Sequence, residues 1–130
     1  AEVLGGRTVK ADKMEVGMIE FDAYAGCPSA TGPWFSWHND IVELPDDVEI
    51  LARNEHAPQV FKSGNSLGVQ FHLEVTTELM NEWLRVGGDE LTGNFTAEEF
   101  RNEWSAKGEY AQAHGRELID WFLTVEPVAV

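Results

Sequence analysis

Apolar and polar positions divide the chain into two parts with different periods. Between residues 7 and 75 the apolar residues form short runs or alternate with polar ones, the pattern of strands. Strands are predicted over Arg7–Lys10, Gly17–Phe21, Trp34–His38 (ending near Asp40), Val48–Ala52, Gln59–Phe61 and residues 67–74. Residues 23–33 are rich in Gly, Pro and Ser and predict a loop. Leu44-Pro45-Asp46-Asp47 and Ser63-Gly64-Asn65 predict turns. From residue 76 the period becomes helical. Leu79, Met80, Trp83 and Leu84 share one face of a helix capped by Thr76 or Thr77, running to about Val86 and stopped at Gly87-Gly88. Thr96 and Glu99 form a capping box, with Phe95 and Phe100 placed as a hydrophobic staple. That helix carries Phe100 and Trp104 one turn apart. A final helix is predicted over Gly115–Val125, with Leu118, Ile119, Phe122 and Val125 inward. At the start, Ala1–Leu4 before Gly5-Gly6 reads as the end of a helix. It is too short to nucleate by itself, so it looks like part of something longer.

The alternation matters most at Gly68-Val69-Gln70-Phe71-His72-Leu73-Glu74. On a strand, residues two apart point to one face. Val69, Phe71 and Leu73 would face a core, and Gln70, His72 and Glu74 would stand together on the other side. A carboxylate beside a histidine fixes its tautomer and stabilises the imidazolium, which suits the pair to general-base work. Spacing alone favours the plainer reading, a solvated outer face.

Length suits one domain, 1–130, with residues 1–75 mostly strands and 76–130 helical. The net charge of −14 makes phosphate backbones and anionic lipid poor partners, so neither nucleic acid nor membrane is expected. No apolar run reaches the length of a membrane span. One cysteine, Cys27, allows no internal disulfide and fits a reducing, cytoplasmic setting.

Other candidates are weaker. His38 and Asp40 share a face if their strand continues. With His72 and Glu74 they would make a metal site, but the cysteine and histidine spacings typical of zinc are absent, and no metal or cofactor is expected. Trp34 and Trp37 read as packing residues. A Cys27–His72 dyad is disfavoured, because Cys27 lies in a loop with no helix start beside it. His56 and His114 sit in polar segments and read as solvated.

Taken together, the motifs resemble the class I glutamine amidotransferases, in their free-standing, GMP-synthase-like branch. Residues 68–74 are similar to that family's G-x-Q-F-H-P-E motif. Leu4-Gly5-Gly6, Glu15-Val16-Gly17, Trp37-His38-Asn39-Asp40, Leu44-Pro45, Leu51-Ala52 and residues 58–64 match in order and approximate spacing. The resemblance covers residues 1–85 well and the helical tail more loosely. It implies an α/β, three-layer, flavodoxin-like fold with a mixed sheet. It also implies hydrolysis of glutamine to glutamate and ammonia, which passes to a synthetase domain or subunit. His72 would be the base and Glu74 its orienting carboxylate, with Gln70, His38 and Asp40 lining the substrate site. Leu73 stands where the family has proline, and Asn39 where it commonly has glycine. The family's G-x-C-x-G elbow would fall before Leu4, so the fold would be incomplete at its N-terminus and this chain inactive alone. Two other readings stay open: a non-catalytic interaction module on the same scaffold, and a hydrolase of γ-glutamyl compounds.

Overall fold

The computed structural model describes residues 1–23, 26–28, 31–91 and 95–125. Five strands come first, β1 (Arg7–Ile19), β2 (Trp34–Glu43), β3 (Glu49–Arg53), β4 (Pro58–Ser63) and β5 (Ser66–Val69). Two helices follow, α1 (Thr77–Gly87) and α2 (Ala97–Thr124). Every strand pairing among the described residues is antiparallel: β1 with β2, and β3 with β4 and β4 with β5. The opening residues form a single 3-10 turn, Glu2–Leu4, closed by Gly5 in the left-handed conformation (φ 81°), rather than the end of an α-helix.

The two strands expected at Arg7–Lys10 and Gly17–Phe21 are one. β1 pairs Lys10 with Asp40 and Glu15 with His38, advancing five positions while β2 advances two. The surplus residues bulge, which breaks the alternation that pattern reading depends on. The loop over 23–33 is described only in part; residues 24–25 and 29–30 lie outside the described residues. The strand expected over 67–74 ends its ladder at Val69. Beyond it, among the described residues, only His72 bridges, to Phe35, with His72 N–H donating to the Phe35 carbonyl at 2.9 Å.

β2 separates two apolar clusters. Successive strand residues face opposite sides, so Trp34 and Phe35 enter different cores. Phe35 joins Met18, Val75, Met80, Leu84, Phe100, Trp104 and Ala111 beneath the helices. Trp34 joins Leu51, Ala52, Val60, Phe71 and Leu118, stacked on Phe71 with ring centroids 4.0 Å apart. Both expected N-caps form: Thr76 Oγ1 accepts from Leu79 N–H, and Thr96 makes the full capping box with Glu99. The staple forms as well, with the Phe95 and Phe100 centroids 5.3 Å apart.

The two helices expected after residue 96 are one helix of 28 residues, α2. Gly115, the expected start of the second helix, and Gly108 are both buried inside α2, where a neighbour comes too close for a side chain. A Cβ on Gly115 would lie 3.1 Å from the Leu73 carbonyl oxygen. One on Gly108 would lie 2.6 Å from the indole of Trp104, which is pinned by its hydrogen bond to Thr77 Oγ1 at 2.9 Å. Helix propensity alone would have Gly108→Ala stabilise by about 1 kcal/mol. Overpacking of about 1–3 kcal/mol opposes it, because the indole cannot move without losing its partner. We expect a net loss of stability, read as a lower denaturant midpoint with an unchanged slope. One inward assignment on α2 also changes: Ile119 is exposed, while Leu118 is fully buried.

Candidate functional site

His72 and Glu74 meet. The end of the β5 ladder leaves residues 70–74 as bends, and the Phe35 bridge holds His72 in an extended setting. His72 Nδ1 lies 2.8 Å from Glu74 Oε1. A carboxylate only accepts, so Nδ1 carries the proton and donates, leaving Nε2 as the basic nitrogen. Among the described residues nothing meets Nε2. Aromatic rings hold the imidazole from the sides: Phe35 at 6.1 Å and Trp83 at 4.8 Å between centroids, both edge to face. The His72 side chain is 32 % exposed and that of Glu74 54 %, so the pair lies open to incoming molecules. A tautomer-fixed, accessible imidazole nitrogen can take a proton from a thiol, a hydroxyl or water.

Gln70, His38 and Asp40 line one hollow of about 600 Å3, together with Lys10, Trp37 and Asn39. Gln70 donates its backbone N–H to Gln59 (2.9 Å), while its side-chain Oε1 is buried without a partner. An orphaned buried acceptor is uncommon and leaves a place for a donor.

The quartet suggested for a metal does not assemble. His38 turns inward onto Glu15, and among the described residues no group of three or more His, Cys, Asp or Glu side chains could hold a metal ion. Its Nδ1 donates to the Asp40 carbonyl oxygen at 2.8 Å, and its Nε2 lies 3.1 Å from Glu15 Oε1.

Glu15 entered the sequence reading only through the Glu15-Val16-Gly17 match, which gave it no structural role. It is 5 % exposed. His38 Nε2, Ser36 Oγ (3.2 Å) and Gln59 Nε2 (3.0 Å) surround Oε1, and Asn54 Nδ2 donates to Oε2. Burial pushes its pKa upward, but the hydrogen bonds from His38, Asn54 and Gln59 and the His38 charge outweigh that and hold it below 4.5. Beyond that match, its trace in the sequence is an acid ahead of an apolar stretch, Val16 to Ile19. Its partners come from β1's neighbour β2 and from the β3–β4 hairpin, so no local pattern shows them.

Cys27 is buried in the cluster with Trp34 and Phe71, and burial pushes its thiol up to about 11. At neutral pH roughly one molecule in 10⁴ would carry the thiolate, which makes a poor nucleophile. Of the other two histidines, expected to be solvated, His114 departs from that expectation and His56 only in part. His56 is half-buried and approaches Glu15 Oε2 at 3.9 Å. His114 sits with Nδ1 buried and unpartnered, its ring edge-on to Trp34 at 6.1 Å. The cause is the continuity of α2, which turns His114 toward the core instead of placing it before a helix start. Trp37 packs on the first cluster, as expected, but also forms a wall of the hollow.

No family model matches the chain. It is similar to the GMP synthase [glutamine-hydrolyzing] of Aquifex aeolicus, 33% identical over 101 residues, which are 71% of this chain and 18% of that protein. It is also similar to the protein of that name from Staphylococcus aureus, 30% identical over 112 residues, or 76% of this chain and 22% of that one. The chain thus spans about a fifth of the length of these curated relatives. Among solved structures, a glutamine amido transferase from Methylobacillus flagellatus superposes over 100% of this chain and 60% of that one, with a TM-score of 0.80 at 17% identity. A glutamine amidotransferase from Thermotoga maritima covers 94% of this chain and 55% of its own, with a TM-score of 0.64 at 24% identity. No transmembrane-length apolar helix occurs among the described residues.

Proposed function

Because the chain is a class I glutamine amidotransferase-like domain, we propose that it supplies the base and the orienting acid for hydrolysis of glutamine to glutamate and ammonia. The observation that carries this reading is the 2.8 Å contact between His72 Nδ1 and Glu74 Oε1, with Nε2 left open. The nucleophile is a thiol on a segment outside these 130 residues, since Cys27 is buried and its proton is held tightly. His72 Nε2 takes the thiol proton as the sulfur attacks the side-chain carbonyl carbon of glutamine, and the π pair moves to oxygen. When the carbonyl re-forms, the C–N bond breaks and the imidazolium gives its proton to the leaving nitrogen, releasing ammonia. Nε2 then deprotonates water, which cleaves the thioester to glutamate and restores the thiol. Glu74 keeps Nδ1–H in place and stabilises the imidazolium at both stages. The hollow beside Gln70, His38 and Asp40 receives the amino-acid end of the substrate, where the Gln70 acceptor suits an ammonium group. The ammonia goes to a synthetase domain or subunit, in line with what the GMP synthases named above are called. A cytoplasmic setting goes with this reading, since Cys27 is a free thiol.

On this reading the 130-residue chain alone releases no ammonia from glutamine above the rate of a buffer blank, in a coupled ammonia assay. Ammonia release by this chain that disappears in His72→Ala would overturn the assignment of the nucleophile and bring Cys27 forward.

A further inference from the structure

A second hollow, of about 230 Å3, adjoins the first, and its walls are wholly apolar: Trp37, Trp83, Val86 and the backbone of Gly87. Trp37 is a wall of both. Trp83, on the other side, is the ring that packs edge to face on His72 at 4.8 Å. Val86 is 71 % exposed, so the hollow opens to solvent. Its volume is below the roughly 300–1,000 Å3 of a cleft for a whole ligand and suits one substituent.

Its position gives it a role. If His72 is the general acid that protonates the leaving nitrogen, whatever that nitrogen carries must lie beside the imidazole. Ammonia carries nothing and needs no apolar recess. From this adjacency, and resting on the reading of His72 given above, we propose that the preferred substrates are γ-glutamyl amides whose nitrogen bears a small apolar or aromatic group. That group occupies the Trp37–Trp83–Val86 hollow, while the amino-acid end lies by Gln70. Trp37 and Trp83 thus determine specificity for the leaving amine. The hydrolytic step is unchanged except that an amine leaves in place of ammonia, carrying the proton from Nε2.

Binding tests this without the thiol. The ¹⁵N-labelled chain is titrated with γ-glutamyl anilide and with glutamine. The indole N–H signals of Trp37 and Trp83, assigned through Trp37→Phe and Trp83→Phe, are the reporters. The anilide is expected to bind at least about tenfold more tightly than glutamine, as burial of an aromatic ring predicts. Val86→Glu changes an exposed side chain, so the fold is kept while charge enters the recess, and the margin should collapse to about twofold or less. Equal binding of the two ligands by the wild-type chain would overturn the apolar subsite and leave the glutamine reading standing. A margin that survives Val86→Glu would overturn it too, since the ring would then sit elsewhere. If neither ligand binds, both this inference and the glutamyl reading fail.

Discussion

In a protein that joins this domain to the thiol-bearing segment, His72→Ala is expected to lower kcat/KM for ammonia release from glutamine by about 10⁴-fold or more. The size follows from the loss of both proton transfers at once, with the geometry otherwise intact. Glu74→Gln should cost less, on the order of 10²-fold. An amide at position 74 can still accept from Nδ1–H, but it gives up the negative charge that favours the imidazolium. That charge is already screened, because Glu74 is half exposed. The measurement is steady-state ammonia release over a range of glutamine concentrations, with both variants checked for a native melting transition. Loss of activity by less than tenfold in His72→Ala would remove the imidazole from the reaction.

The largest effect on stability is expected at Glu15. Glu15→Ala takes the shared acceptor from His38, Ser36, Asn54 and Gln59 at one stroke. Removing one partner of a buried ion pair typically costs about 3–5 kcal/mol, because the groups left behind stay buried without a counterpart. In a domain this size, that is a large part of a total of about 5–15 kcal/mol. Glu15→Gln keeps one acceptor oxygen and should lose less. The pH dependence has a fixed sign. The folded carboxylate has a pKa below its ordinary 4.5, so the folded state binds fewer protons than the unfolded chain between those two values. Its stabilising contribution is complete above 4.5 and disappears as pH falls through the depressed folded value. Urea midpoints for wild type and Glu15→Gln should therefore differ most above pH 4.5 and converge below it. A constant gap down to strongly acidic pH would mean that folding leaves the Glu15 pKa where it stands in the unfolded chain.

What the sequence made legible was whatever depends on near neighbours. Thr76, the Thr96–Glu99 box and the Phe95–Phe100 staple each act within a single helical turn, and all form as read. The His72–Glu74 contact was legible for the same reason, being a spacing of two residues. The features that escaped depend on what lies opposite. Gly115 looks like a helix boundary until the Leu73 carbonyl is placed against it. The bulge in β1 is a mismatch of register with β2 and leaves no mark on β1 alone. Glu15 acquires its partners from β2, β4 and the turn between β3 and β4, and the apolar recess by Trp83 is built from β2 and α1 together.

The continuity of α2 ties the two cores together. Phe100, Trp104 and Ala111 insert into one and Leu118 into the other. A rod of 28 residues spans about 42 Å, and bending it between the cores would sever backbone hydrogen bonds in its most protected stretch. Opening one core therefore disturbs the helix on which the other packs, which couples the surroundings of the imidazole on one side to those of the Cys27 thiol on the other. The rate at which a thiol reagent labels that sulfur would report how readily its own side of the molecule opens.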